Sequence, residues 1–160
     1  MTNTFEVGEK RFVLVNEDEI RLYEDGSDKS ATFTYPRWAQ FVEYIDDVDN
    51  AVAKLMKEEQ VAIRMHIGGA WHVSVTTGYR CVDIRRFYMA KDGSTKATRT
   101  GIALRLPEWD RIKQVVSEIK EKHPKVANSA PCWTQSDHFN QIGALMCSEC
   151  NPYGNWFTSA

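Results

Sequence analysis

The chain alternates apolar and polar residues in several short runs and then changes to a helical spacing of apolar residues. In the first half, the alternating runs around Phe12, Ile20 and Ala31 have the period of two that is typical of half-buried strands. After Pro36 the apolar positions have a helical period, at Trp38, Phe41, Val42, Ile45, Val48, Val52 and Leu55. This spacing places one apolar stripe along a single helix, and proline is favoured in a first helical turn. The first half is therefore predicted to form strands followed by one helix.

The second half repeats this order of elements. Strands are predicted near residues 61–67, 70–76, 80–89 and 95–106. A helix is then predicted from the apolar positions Trp109, Ile112, Val115, Val116 and Ile119. Gly78 and residues 91–94 supply hairpin turns, and Pro124 ends the helix.

Three sequence landmarks occur twice in the same order, which indicates an internal repeat. RFVLV at 11–15 returns as WHVSV at 71–75, IRLYED at 20–25 returns as IRRFYM at 84–89, and a Pro-x-Trp sequence occurs at 36–38 and at 107–109. Trp38 and Trp109 are expected to anchor their helices in the core, because aromatic residues at helical spacing are usually packed inside.

A sheet covered by one helix leaves its other face open, so two such modules in one chain can pack against each other. The sequence therefore predicts an α+β fold of two tandem modules, each an antiparallel sheet plus a C-terminal helix. We expect them to pack as an intramolecular pseudo-dimer with a C-terminal appendage, although pairing between chains in a homodimer is also open. The expected boundaries are 1–58 for the first module, 59–124 for the second and 125–160 for the appendage.

Charge is distributed unevenly between the two modules. Residues 1–58 contain 7 Lys and Arg against 13 Asp and Glu, a net charge of −6. Residues 61–105 contain 8 basic residues against 2 acidic ones, a net charge of +6. Because local charge decides which partners a surface attracts, the second module is expected to carry the binding site for an anionic partner.

The composition, with 42% apolar and 26% charged residues, is that of an ordinary globular protein. No stretch is apolar enough to span a bilayer, so no membrane partner is expected. Residues 1–12 have neither the long apolar stretch nor the cleavage site of a signal peptide. An intracellular location with reduced cysteines is therefore expected.

The segment from Gly69 to Trp109 interleaves arginines and lysines with Tyr79, Phe87 and Tyr88. This pattern suits single-stranded nucleic acid, because phosphates attract cations and unpaired bases stack on aromatic rings. The same pattern also fits a solvated strand face over core aromatics, and the residues alone leave both interpretations open. His66 and His72 are interpreted as packed or surface histidines without a chemical role.

Several motifs of the second half resemble the positive-cofactor-four family of transcriptional coactivators. They are VDIRRFY at 82–88, Asp92-Gly93, KATRTGIAL at 96–104 and Pro107-Glu108-Trp109, so the resemblance covers about residues 67–119. The first half is similar more weakly, through FEVGEKRFV at 5–13 and DDVDNAV at 46–52. The resemblance implies a β-β-β-β-α module that dimerises and holds single-stranded DNA on its sheets and loops. It also implies a cofactor role in transcription, replication or repair, proteins of those processes as partners, and a nuclear location if the source is eukaryotic.

The resemblance implies six nucleic-acid contacts, at Tyr79, Arg80, Arg85, Tyr88, Lys96 and Arg99. Thr100 stands where the family usually has a second basic residue, and residues 26–30 replace the family's Lys-x-x-Arg loop in the first half. The first module is therefore expected to be a packing partner and not an equal binding surface. Arg85 and Tyr88 fall on opposite faces of a flat strand, so both can contact one nucleic-acid strand only if a bulge or strong twist intervenes near Phe87.

Four residues of the appendage form a second candidate site, at Cys132, His138, Cys147 and Cys150. A Cys-x-x-Cys pair is the usual half-site for zinc, whereas Cys132-x5-His138 is an uncommon spacing for the other half. A structural zinc and an ordered tail with reduced thiols therefore both stay open, and no other cofactor is expected.

Two other classes of function compete with nucleic-acid binding as interpretations of this sequence. A protein-interaction module that has lost nucleic-acid binding is the main alternative, and the acidic first half favours it. An enzyme is not expected, because the sequence has no phosphate-binding glycine loop, nucleophile signature or metal-binding His-Glu motif.

Overall fold

The first sheet contains four antiparallel strands in the order β1 (Thr4–Gly8), β2 (Arg11–Val15), β3 (Glu19–Glu24) and β4 (Ser30–Thr34). The structure is a computed structural model and describes residues 3–134, 147 and 149–152. Burial alternates along these strands, so that Val13, Leu22 and Phe33 face the core. The period of two in the sequence predicts this arrangement for β2, β3 and β4, and the structure adds β1 at the edge.

The predicted single helix of the first half is wrong, because two helices are present. They are α1 (Tyr35–Glu43) and α2 (Ile45–Met56), and they meet at Tyr44, where φ is −90° and ψ is 0°. The bend allows α1 to contact the fifth strand and α2 to contact the sixth. The apolar stripe continues from α1 into α2 with the same helical spacing, so the sequence pattern does not reveal the bend between them.

The second module repeats the four-stranded antiparallel sheet and ends in a longer helix. Its elements are β5 (Ala62–Gly68), β6 (Trp71–Thr76), β7 (Cys81–Met89), β8 (Thr95–Arg105) and α3 (Leu106–Lys122). All four strands and the helix lie where the sequence pattern predicts them. A short helix α4 (Pro124–Ala127) and a 3-10 turn (Cys132–Thr134) follow. Among the described residues, no helix is long and apolar enough to cross a membrane.

Each module places its helices against the sheet of the other module. Helix α3 contacts β1 of the first sheet, while α1 contacts β5 of the second. The buried apolar residues of both modules form one continuous core, in which Trp38 is 3% exposed and Trp109 is fully buried. Phe41 and Trp109 meet edge to face across the seam, with ring centroids 6.2 Å apart. The predicted pseudo-dimer and both tryptophan anchors are thus confirmed.

Polar contacts also cross the seam between the modules. The Arg11 guanidinium donates to the Ala103 carbonyl at 2.6 Å and to a Glu108 carboxylate oxygen at 3.0 Å. The Trp109 indole N–H donates to the Asp49 carboxylate at 3.1 Å. Because these groups are on different modules, the contacts fix the position of the two sheets relative to each other.

Candidate nucleic-acid interface

The outer face of the second sheet, opposite the core, is open. Val73 and Ile84 pair across β6 and β7 and are fully buried. Alternation places the flanking pairs, His72 with Arg85 and Ser74 with Asp83, on the opposite side of the sheet. A shallow groove runs over this face and is lined by Ser74, Thr76, Tyr79, Cys81, Asp83, Arg85 and Ala103. The groove is an accessible surface on the basic module.

Two of the predicted contact residues, Tyr79 and Arg85, line this groove. Tyr79 is 67% exposed and follows the hairpin turn between β6 and β7. Burial, reinforced by the Asp83 carboxylate, raises the pKa of the Cys81 thiol, so the groove floor carries a neutral thiol near pH 7. The groove therefore offers an exposed aromatic ring beside a guanidinium group.

Arg85 is already engaged within the protein. Its Nε and Nη2 atoms donate to the Asp83 carboxylate at 3.0–3.2 Å, and its Nη1 atom donates to the Thr98 carbonyl at 3.2 Å. Arg85 is thus paired with Asp83, the one acidic side chain of β7. A phosphate that binds Arg85 must compete with Asp83 for the guanidinium.

The pairing of β7 with β8 is irregular near Phe87, where a bulge is needed if Arg85 and Tyr88 are to contact one nucleic-acid strand. Arg85 pairs with Gly101 and Phe87 pairs with Ala97, so one residue of β7 lies opposite three residues of β8. The extra residues are on β8, however, and alternation along β7 continues: Phe87 contacts His72 on the face that carries Arg85. Tyr88 therefore remains on the other side of the strand from Arg85.

Tyr88 belongs to a second group of predicted contacts on the protruding end of the β7–β8 hairpin. It pairs across the two strands with Lys96 and is 49% exposed. Arg99 lies in the irregular part of β8 and is also exposed. Arg80 is separate from both groups, because it lies beside Arg105, Leu106 and Pro107 at the start of α3. The six predicted residues thus divide between the groove, the hairpin end and the α3 edge.

Most of the positive charge of residues 61–105 has no acidic partner. Within the described part of the chain, only Arg85 and Arg105 of the eight basic residues form ion pairs, with Asp83 and Glu108. The other six have none among the described residues: Arg64, Arg80, Arg86, Lys91, Lys96 and Arg99. A surface with this much uncompensated charge attracts polyanions.

An additional cluster on the outer face was missed by the sequence interpretation. The Arg64 guanidinium lies 4.7 Å from the centroid of the Phe87 ring, whose other neighbour is His72 at 4.8 Å between centroids. Burial, with smaller effects from the charges of His66 and Arg64, lowers the pKa of His72 to about 4, and its buried Nδ1 atom has no hydrogen-bond partner among the described residues. His72 is therefore neutral near pH 7. Arg64, His72 and Phe87 lie on the adjacent strands β5, β6 and β7, at positions whose side chains point outward. The alternation of inward and outward residues along these strands is the sequence signal that could have revealed the cluster.

Three of the four predicted metal ligands lie together. The Sγ atoms of Cys132, Cys147 and Cys150 are all within 4.8 Å of one another, a spacing that can hold a metal ion. His138, the fourth predicted ligand, lies outside the described residues. Burial and the neighbouring thiols raise the pKa of Cys132, and burial raises that of Cys150.

Comparison with known families supports the resemblance seen in the sequence. The family model described as Transcriptional Coactivator p15 (PC4) matches residues 72–115, from β6 into α3. The similarity lies within the second module. It does not extend into the first module, whose relation to the family depends on its fold and on the repeated landmarks. No solved structure matches the chain.

Proposed function

We propose that this protein binds single-stranded DNA or RNA through its second module. The observation that carries the proposal is that the second module has six basic side chains without acidic partners in the described chain, together with two exposed tyrosines. Phosphates bind cations, and bases that are free of a complementary strand stack on aromatic rings. The match to a family of transcriptional coactivators supports the same conclusion.

The hairpin end is the part of the surface best suited to a flexible strand. Lys96 and Arg99 are exposed beside Tyr88, so they can bind successive phosphates while the ring accepts a base. Tyr79 and Arg85 offer a second set of contacts in the groove. Arg80 extends the basic surface toward α3. This distribution predicts several weak contacts along the strand and little base preference.

The first module has a different role in this proposal. It carries a net charge of −6 over residues 1–58, and its helices and sheet complete the core of the second module. We propose that it replaces the second copy of a dimer, so that one chain acts as a monomer. We further propose a non-catalytic cofactor role with transcription or replication proteins as partners, and a nuclear location in a eukaryotic source. The match to a transcriptional coactivator family supports this part of the proposal.

A protein-interaction module without nucleic-acid binding is the second candidate function. The pairing of Arg85 with Asp83 and the acidic first module favour it, because both reduce the attraction for phosphates. The two candidates differ in their response to oligonucleotides and to salt.

The test is fluorescence anisotropy with a labelled thymine strand of about 20 nucleotides and with a duplex of equal length, in a series of salt concentrations. We expect tighter binding to the single strand and a linear fall of log affinity with log salt. The double variant K96A/R99A should lower the slope by about 1.4, because each phosphate contact contributes about 0.7 for a single strand. Tyr88→Ala should weaken binding roughly tenfold or more, whereas Tyr88→Phe keeps the ring and should bind almost normally.

A matched control removes the same charge elsewhere. Lys29 and Lys120 are exposed and lie outside the proposed surface, so K29A/K120A should leave the salt slope unchanged. Equal weak binding to both oligonucleotides, with no difference between the two double variants, would establish the protein-interaction alternative instead.

A further inference from the structure

The cysteine cluster has the dimensions of a thiolate metal site. Two sulfur ligands of a tetrahedral zinc ion lie about 3.8 Å apart when each Zn–S bond is about 2.3 Å long. The Sγ atoms of Cys132 and Cys150 are 3.3 Å apart, and all three Sγ atoms are within 4.8 Å of one another. Small side-chain rotations are enough to bring three sulfurs to the distance that zinc requires.

A backbone hydrogen bond brings Cys147 close to Asn151, the residue after Cys150. The Asn151 N–H donates to the Cys147 carbonyl at 2.7 Å, which closes a turn over the two cysteines. Cys132 comes from the 3-10 turn after α4, so the three sulfurs come from two separate segments of the chain. All three residues are half-buried, which protects bound metal from solvent while leaving it a path of entry.

This turn is docked between the two modules by the residue between its cysteines. The Glu149 carboxylate accepts hydrogen bonds from Nη2 of Arg37 in α1 at 2.6 Å and from its Nε at 3.2 Å. The Glu149 carbonyl accepts from the Gly69 N–H in the β5–β6 hairpin at 2.8 Å. Arg37 belongs to the first module and Gly69 to the second, so Glu149 bridges them.

A side chain on either glycine of the hairpin would displace the groups that dock there. A Cβ atom on Gly68 would lie 2.8 Å from a Glu149 carboxylate oxygen, and one on Gly69 would lie 2.8 Å from the Arg37 guanidinium. Both glycines also have positive φ, +120° and +58°, which most other residues rarely adopt. The hairpin is therefore shaped to receive the turn closely.

We infer that Cys132, Cys147 and Cys150 bind one zinc ion, and that the loaded site fastens the C-terminal segment across the seam of the two modules through Glu149. The three cysteines supply three of the four ligands that a tetrahedral zinc ion takes. Zinc binding is thereby coupled to the packing of the modules, because the metal fixes the turn whose glutamate joins them. This site is separate from the proposed nucleic-acid surface and does not depend on it.

The first experiment is a titration of the reduced, metal-free full chain with Co²⁺, which reports thiolate ligands through charge-transfer absorption in the near ultraviolet and d–d bands in the visible. We expect one Co²⁺ per chain, displaced by Zn²⁺. Cys132→Ser, Cys147→Ser and Cys150→Ser should each lose tight binding, whereas Cys81→Ser, on the outer sheet face, should bind normally. Absence of stoichiometric binding, or equal binding by the cluster variants, would overturn the inference.

A second measurement tests the docking. Added Zn²⁺ should raise the melting temperature of the wild type by roughly 5–10 °C at a hundredfold excess over the dissociation constant. Glu149→Gln should still bind one metal but show a much smaller rise, because its turn no longer binds Arg37 as an ion pair. An equal rise in this variant would show that the site does not act through Glu149. A Cys132–Cys150 disulfide in protein purified from a reducing host would overturn the metal site itself.

Discussion

Asp83 and Arg85 occupy the same face of β7, and their side chains form an ion pair with a closest distance of 3.0 Å. Both are partly exposed, at 26% and 22% of the side-chain surface, on the groove of the basic sheet. The carboxylate therefore holds the guanidinium in place and at the same time competes with any phosphate that approaches it.

Replacing Asp83 by Asn should strengthen the binding of single-stranded DNA by roughly two- to fivefold, which is the range expected for one partly exposed charge pair. The effect is measured by anisotropy at fixed salt. Asp92→Asn is the matched control, since Asp92 accepts from Ser94 in the β7–β8 hairpin and holds no arginine. If both variants gain equally, release of Arg85 is not the cause and only the general charge matters.

The buried contact between Arg11 and Glu108 is expected to be among the most important polar contacts for stability. These residues are 4% and 6% exposed, and Arg11 also bonds to Glu24 at 3.1 Å. Arg11→Ala should lower the free energy of unfolding by about 3–5 kcal/mol, because it leaves the buried Glu108 carboxylate with only the exposed Arg105 guanidinium as a cation among the described residues, at 4.0 Å. Urea denaturation measures this, and R11M/E108L should recover much of the loss. A loss below about 1 kcal/mol would contradict the assignment.

Asp49 joins the modules through Trp109 and Lys113, with Lys113 Nζ at 2.8 Å. The Lys113 hydrogen bond holds the pKa of Asp49 below its ordinary value, and Asp49 raises the pKa of Lys113. Asp49→Asn should lower stability by about 0.5–1 kcal/mol at pH 7, since the carboxylate is 45% exposed. Asp49→Ala should cost about 1–3 kcal/mol, because the buried indole N–H then loses its acceptor.

The Asp49 contribution also has a defined pH dependence. A carboxyl whose pKa is lowered by folding stabilises the protein above its unfolded pKa of about 3.9, and this contribution is lost as pH falls through the lower folded pKa. The raised pKa of Lys113 extends the contribution upward to about pH 10. The stability difference between wild type and Asp49→Asn should therefore be constant from about pH 5 to 9, begin to fall near pH 4 and disappear only below the lowered pKa of folded Asp49. A difference that persists in acid would rule out the ionised carboxylate as its source.

Gly101 allows β7 and β8 to approach beside the irregular pairing. A Cβ atom there would lie 2.6 Å from the Ile84 carbonyl oxygen and 2.8 Å from the Arg85 Cα. Both are backbone atoms that cannot move aside cheaply, so Gly101→Ala should destabilise by about 1–3 kcal/mol. Thr100→Ala, at the adjacent exposed position, is the control and should change stability by about 0.5 kcal/mol or less. Chemical denaturation of the two variants compares them directly, and equal stability would show that the strands tolerate the extra carbon.

The second module alone, residues 59–124, should not fold as a monomer. Its helix α3 packs against β1, and the core residues of both modules form one cluster. Removing the first module exposes Trp109 and the apolar side of the second sheet. Circular dichroism at low micromolar concentration should show no cooperative thermal transition. A cooperative transition independent of concentration would indicate that the modules are separate domains.

Local patterns in the sequence determine much of this fold. Alternation of apolar and polar residues is sufficient to place β2, β3 and β4 and all four strands of the second sheet, because each strand exposes one face to the core. The Pro-x-Trp sequences mark the starts of α1 and α3, since both tryptophans are anchored in the core. The motifs between 82 and 109 resemble those of the transcriptional coactivator family, and residues 72–115 match its model.

Only the tertiary structure decides how these elements and their charges meet. Contacts between residues far apart in the chain decide three features. These are the bend at Tyr44, the ion pair between Arg11 in β2 and Glu108 in α3, and the bridge from Glu149 to Arg37. The pairing of Arg85 with Asp83 depends on which face of the sheet is open and which side chains are within reach. The spacing of apolar residues indicates the secondary structure of one segment and which of its faces is buried. Ion pairs and clusters of thiols depend on strand register and on packing between segments, which no local pattern contains.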